Sequence, residues 1–367
     1  MYKISLRDTL LITINLELNP YSELPSSAFW KTGVTQENPY AINNIYKKKF
    51  DIKPNTQIAT AGSCFGQHVG NHLKRNGYQV IDEEIAPPGL PDELHQKYGF
   101  SLYSARYGNI YTVKQLLQLA QEVAGERKPE NYIWEKNGKY FDALRPAVEP
   151  DGHETEQEVI EHRDFHIEKV KDVFTKMDLF IFTLGLTEMW VHKECGTVYP
   201  TAPGTICGEF NENIYEFKNA EFREIINDFN KFQQTVRKIR SDKPFRILLT
   251  VSPIPLTATA SGMHVLVSTV HSKSILRAVA GQLSTNKRHI DYFPSYEIVN
   301  NPRLHSTTFK ENLRSVRDET VQMVMKHFSR EYPSIQKGKE IEKNLKNNKK
   351  IIEDIQCEEA LLEAFNK

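Results

Sequence analysis

Thr60-Ala61-Gly62-Ser63-Cys64-Phe65 is the stretch that decides what fold this chain adopts. A small-residue approach over 58–61 reaches a glycine. Phe65, Val69 and Leu73 then recur every four residues, the spacing of one helix face. Ser63 therefore stands where a strand turns sharply into a helix. There its hydroxyl lies at a helix N-terminus, whose free N–H groups stabilise negative charge. Nucleophilic attack on an ester needs that placement, an oxygen presented beside donors that hold an oxyanion. Serine is also a preferred N-cap, and on local sequence alone the cap is the better reading.

Outward from that junction the pattern repeats. The runs 178–184 (DLFIFTL) and 245–251 (FRILLTV) are short, apolar and rich in β-formers, as buried parallel strands are. Weaker strands are expected at 58–61 and 78–81, and helices at 65–75, 113–124, 221–240, 272–283 and 319–328. Strands alternating with helices predict a parallel α/β sheet, which binds ligands outside the carboxyl ends of its strands. Ser63, Gly185 with Glu188, and Ser252 each follow an expected strand at that end, so three loops should converge on one rim.

Composition narrows the class. A chain of 367 residues buries a large core, as one elaborated domain or two small ones. Lys and Arg (47) balance Asp and Glu (47), so no global field recruits nucleic acid or an anionic membrane. The four cysteines, Cys64, Cys195, Cys207 and Cys357, form no C-x-x-C pair and fit a reducing compartment. The apolar run 10–14 is too short for a signal sequence, and no eighteen apolar residues are consecutive; a soluble, cytoplasmic protein is expected. His68 and His72 stand four apart, but Val69 occupies the glutamate position of a zinc-protease motif and no third ligand is evident. No Gly-Lys-Ser/Thr follows Gly62 or Gly66, so no phosphate loop is read. No metal and no cofactor are expected.

Gly62-Ser63-Cys64-Phe65 followed by Gly66 resembles the signature of the GSCFA family, whose fifth letter is alanine. Further blocks are similar and in the same order: 104–111 (SARYGNIY), 183–190 (TLGLTEMW), 250–256 (TVSPIPL) and 293–297 (FPSYE). That family resembles the SGNH (GDSL-type) esterases and acyltransferases, in which the serine of the first block is the nucleophile. The resemblance implies an α/β fold: a flavodoxin-like, SGNH-type three-layer sandwich with a parallel sheet over 51–330. A helical and loop insertion is expected over about 84–175, an extension over 1–50, and a charged helix or tail over 331–367. The function implied is ester hydrolysis or O-acyl transfer through an acyl-Ser63 intermediate, on an O-acylated carbohydrate or polysaccharide precursor of bacterial metabolism.

The resemblance also assigns roles. The Ser63 N–H, Gly185, Thr187, Glu188 and Ser252 would form the oxyanion side and the site loops. Thr187 and Glu188 read equally well as a capping pair opening a short helix through Trp190. SGNH proteins carry Asp-x-x-His before the last helix, where this chain reads Asn312-Leu313-Arg314-Ser315. Serine is not a useful base at neutral pH. Substitute bases rank as His264, in the loop after 245–251, then His305, then His271. Asp291 or Glu297 would orient the base, and the sequence does not choose between them. Arg106 and Arg145 are candidates for an anionic or sugar substrate, since arginine forks match carboxylate and phosphate. Cys64 is an alternative nucleophile, but reads more simply as a small packing residue. The rival reading is a catalytically silent module that binds a glycan or a protein partner, and the Asn312/Ser315 departure favours it.

Overall fold

The computed structural model describes residues 19–304, 307–335 and 358–366. The apolar run 10–14 and positions 336–357 of the expected charged helix or tail over 331–367 therefore lie outside the described residues. The chain divides into two units, Met1–Lys47 and Lys48–Lys367. The first contains a 3-10 turn at Ser26–Ala28 and a π-turn at Lys31–Thr35, neither with a buried residue.

The second unit carries β1 Ile58–Gly62, β2 Ile133–Lys136, β3 Lys139–Asp142, β4 Leu179–Leu184, β5 Glu188–His192, β6 Val198–Tyr199, β7 Tyr215–Asn219, β8 Arg246–Val251 and β9 Ile290–Tyr292. Its helices are α1 Phe65–Arg75, α2 Asp92–His95, α3 Val113–Val123, α4 Glu156–Lys176, α5 Phe222–Ile239, α6 Val265–Asn286, α7 Ser295–Val299 and α8 Asp318–Glu331. No described helix is long and apolar enough to cross a membrane.

The central sheet runs β1-β4-β8-β9, all parallel. Gly62 pairs with Thr183 and Thr183 with Thr250, so β1, β4 and β8 end level and their following loops share one rim. The stretch expected as a strand at 78–81 gives only one bridge, Val80 to Ile58. The Glu83 N–H goes to the Ser104 carbonyl, so the chain leaves β1 before a ladder can form. The fourth strand is β9 instead.

Strand alternation sorts the layers. Ala59, Ala61, Phe180, Phe182, Ile247 and Leu249 join the main core, where α3, α4, α5 and α6 contribute Leu116, Val170, Phe229 and Leu276. On the opposite face α1 lies close to the sheet: a Cβ added at Gly66 would sit 2.8 Å from Thr183 Oγ1, and one at Gly70 3.4 Å from Thr60 Oγ1. α8 packs on α1, with His72 edge-on to Phe328. The fold is thus a three-layer α/β sandwich with a parallel four-stranded sheet, of the flavodoxin-like kind.

Much of 84–175 belongs to this core, since α3 and α4 sit in its helical layer. The β2–β3 hairpin turns at Asn137-Gly138, both at positive φ, the requirement of a tight primed turn. A buried charge cluster ties the region together. Arg163 pairs with Asp142 and Glu122, Arg145 with Asp142 and Glu84, and His166 Nδ1 with Glu84 at 2.7 Å. Burial first, then Arg145, presses the His166 pKa to about 4, so a neutral ring donates to Glu84. Burial opposes ionisation of Glu84, but His166, Arg145 and the Arg106 N–H outweigh it and hold that carboxyl far below its ordinary range.

Thr187 and Glu188 do not open a helix. Glu188–His192 is a strand of a small antiparallel sheet, ordered β6-β5-β7. Met189 and Val191 face the core at strand spacing, and Trp190 pairs with Phe217.

Candidate active site

Gly62 sits at φ +130, and a Cβ there would fall 2.5 Å from the Thr183 carbonyl oxygen, so only glycine passes this point. Ser63 follows, 3 % exposed. Its carbonyl accepts the Gly66 N–H at 2.7 Å and the Tyr103 hydroxyl at 2.8 Å, which pins the turn. Cys64, not Ser63, occupies the N-cap of α1, and no side chain caps that helix. Among the described residues, the buried Ser63 hydroxyl has no hydrogen-bond partner. A cap would have its oxygen on a helix N–H, so the cap reading fails. Leaving such a hydroxyl unpaired costs on the order of 1–3 kcal/mol. Thr60 and Thr183 also bury unpaired hydroxyls, where the glycines of α1 press on them; Ser63 lies at the rim.

The donors expected around Ser63 are engaged elsewhere. Its own N–H is given to the Thr183 carbonyl at 3.2 Å, and the Gly185 and Leu186 N–H groups both point at the Tyr111 carbonyl, at 3.2 and 2.9 Å. This corrects the expectation that the Ser63 N–H stands open for an oxyanion. Gly185 is nevertheless in place against Ser63: a Cβ on it would lie 3.0 Å from both the Ser63 Cβ and the Tyr111 carbonyl oxygen. α6 fixes the same turn, with buried Lys273 Nζ on the Gly185 carbonyl at 2.7 Å and Ser272 Oγ accepting the Thr187 N–H at 3.1 Å. Among the described residues, the buried Thr187 hydroxyl has no partner.

Side-chain donors come from 109–111, which runs beside the turn through Ile110 N–H to the Gly62 carbonyl, 2.9 Å. Asn109 Oδ1 receives Gln67 Nε2 at 3.4 Å and lies 2.8 Å from the Tyr103 hydroxyl, whose one proton it shares with the Ser63 carbonyl. Asn109 Nδ2 and the Tyr111 hydroxyl then both reach one oxygen of Glu358, each at 3.0 Å. Nearby, a cleft of about 180 Å³ is walled by Glu188, Trp190, Tyr199, Phe217, Leu256 and Leu362. Burial pushes the Glu188 carboxyl upward, while the Thr259 hydroxyl at 2.8 Å and the field of His271 pull it back.

A serine-bearing strand-to-helix turn at the rim of a parallel sheet is matched by one family model, GSCFA family, over residues 57–328. The chain belongs to the GSCFA family. Membership suggests at most a hydrolase of the GDSL/SGNH kind. Comparison with curated proteins returns no match.

In this GSCFA chain the remaining expected residues fall in several places. His264 is the N-cap of α6, exposed, with Nδ1 accepting the Leu266 N–H at 3.2 Å. His271 is exposed on α6, and His305 lies outside the described residues. Among the described residues, no imidazole hydrogen-bonds the Ser63 hydroxyl. Asp291 accepts the Lys49 and Tyr292 N–H groups at 2.9 and 2.8 Å, and Glu297 holds Arg277 and the Tyr292 hydroxyl. Ser252 Oγ accepts the Ile254 N–H in its own turn, 3.4 Å. Asn312 and Ser315 form a surface turn, Asn312 Oδ1 accepting the Ser315 N–H at 2.9 Å. Arg106 binds Glu149 and the Tyr98 and Val148 carbonyls, and Arg145 is held in the buried charge cluster, so both guanidinium groups serve the 84–175 region. Asn109, Tyr111, Tyr103, Lys273 and Glu358 carried no role in the sequence reading. The one signal was an asparagine inside the block at 104–111.

Proposed function

We propose that this GSCFA protein is an ester hydrolase acting through Ser63 on an O-acylated carbohydrate or polysaccharide precursor; acyl transfer to a sugar hydroxyl would be the same chemistry with another acceptor. The observation that carries the proposal is the buried Ser63 hydroxyl, which neither caps α1 nor bonds any described group. In the proposed reaction Ser63 Oγ attacks the acyl carbon, the sugar alcohol leaves with a proton, and water then hydrolyses the acyl-serine, releasing a carboxylic acid. The developing oxyanion is assigned to Asn109 Nδ2 and the Tyr111 hydroxyl, which an acyl group would take over from Glu358. The base proposed is His305, because His264 is committed to capping α6 at the surface. The alternative, a silent binding module, is favoured by the Asn312–Ser315 surface turn standing where the family's acid and base would be.

Treatment with a fluorophosphonate, read by peptide mapping, tests this. The expected adduct is on Ser63, absent in Ser63→Ala, unchanged in His264→Ala and slowed about 100-fold or more in His305→Ala. No adduct in the folded protein, Glu358→Ala included, would retire the hydrolase in favour of the binding module.

A further inference from the structure

Glu358 buries a carboxylate against Asn109 and Tyr111, in the segment that runs past the Ser63 turn. It is 5 % exposed, and the residues that receive it are no more so: Asn109 at 5 % and Tyr111 at 2 %, backed by Gln67 and Tyr103 at 1 % each. Glu358 Oε2 takes the Asn109 Nδ2 and Tyr111 hydroxyl donors, while Oε1 lies 3.4 Å from where a Cβ at Gly108 would be. The same short helix, Glu358–Phe365, lays Leu362 in the cleft of Glu188, Trp190 and Phe217. One eight-residue element thus enters both parts of the site, the polar pocket and the aromatic cleft. Its grip is slight. Leu361 and Phe365 are 49 % and 60 % exposed, and a helix this short has little stability of its own.

We infer that Glu358–Phe365 is an internal occupant of the Ser63 site, its Glu358 carboxylate filling a carboxylate subsite that Asn109 and Tyr111 build for an acid ligand. The reading rests on Ser63 as the reactive residue, since ester hydrolysis there releases a carboxylic acid beside these donors. A buried carboxylate is stable only where donors replace its lost water, and this pocket supplies them. Any acid that takes the pocket must displace Glu358, so occupancy by the chain and by ligand are mutually exclusive.

Full-length wild type, Glu358→Gln and Glu358→Ala, compared by hydrogen exchange and by fluorophosphonate labelling, test this. Exchange of the peptide covering 358–366 is expected to rise at least tenfold in Glu358→Ala and less in Glu358→Gln, with Ser63 labelling accelerated in the same order. In Glu358→Ala, acetate is expected to slow labelling relative to chloride at equal ionic strength, and to slow it less in wild type. Unchanged exchange in both variants overturns the inference. So does faster exchange with unchanged labelling of a protein that does label, or acetate acting no differently from chloride. Faster exchange with Ser63 unlabelled in every variant leaves the docked segment standing and refutes the nucleophile instead.

Discussion

At the level of single residues, Gly62 sets where the serine hydroxyl can be. Its φ of +130 and the 2.5 Å approach of a would-be Cβ to the Thr183 carbonyl exclude any L side chain. Gly62→Ala should cost roughly 1–3 kcal/mol in strain alone, plus the clash, seen as a lowered midpoint in urea. Gly185→Ala is expected to stay folded more often but to slow fluorophosphonate labelling of Ser63, because its methyl meets the Ser63 Cβ at 3.0 Å. The turn itself was legible in the sequence, because a small-residue run ends in glycine just before a helix-period stretch, although a helix cap was the better local reading of Ser63. The neighbours of the Ser63 turn were not. Ile110 donates to the Gly62 carbonyl, and nothing local to 109–111 announces a contact more than forty positions earlier. His264 shows the converse: position after a strand suggested a base, while its own backbone used the ring as a cap.

Among elements, the strands β4 and β8 announced themselves as apolar runs bounded by charge, and the helices by their period. Glu188–His192 misled because a threonine followed by a glutamate looks like a capping pair; pairing with β7 outweighed that local preference. The region 84–175 reads as an insertion because 86–99 is Pro-rich and 134–152 is polar with aromatics, yet its helices join the main core and Asp142 and Arg145 are buried in a charge cluster. Arg163→Met removes the common partner of Asp142 and Glu122; Asp142 keeps Arg145, and Glu122 is left half-buried with no cation in contact among the described residues. A loss of about 3–5 kcal/mol is expected by denaturant unfolding, and no smaller loss in Arg163→Ala.

Across the whole molecule, three histidines set an acid response. Burial, helped by Arg75 and Lys310 for His68, Arg75 for His72 and Arg145 for His166, holds each pKa at about 4 against an ordinary 6.5. The unfolded chain therefore binds these protons first, and stability present above pH 6.5 is lost as pH falls towards 4. Glu84, whose carboxyl lies far below its ordinary range, adds to the loss at the acid end. Asp82, Glu122, Glu188 and Asp228 carry raised carboxyls and act in the opposite sense, with smaller shifts. Calorimetry from pH 7 to 4 should show a falling Tm, and His166→Gln should flatten the fall.

The margins of the central sheet have a bearing on self-association. Along β1 the stretch at 79–81 takes the Ile58 N–H and donates to its carbonyl. At the far side β9 is three residues long, and Lys49 binds there: its Nζ donates to the Ile290 carbonyl at 3.0 Å and its N–H to the Asp291 carboxylate. A strand from another copy thus meets an occupied edge on one side and an ammonium group on the other, the means by which native sheets refuse to zip together. Growth of intermolecular β-structure from this sheet must wait until β1 loses its neighbour or Lys49 lets go, so aggregation on heating should follow the loss of tertiary structure rather than precede it.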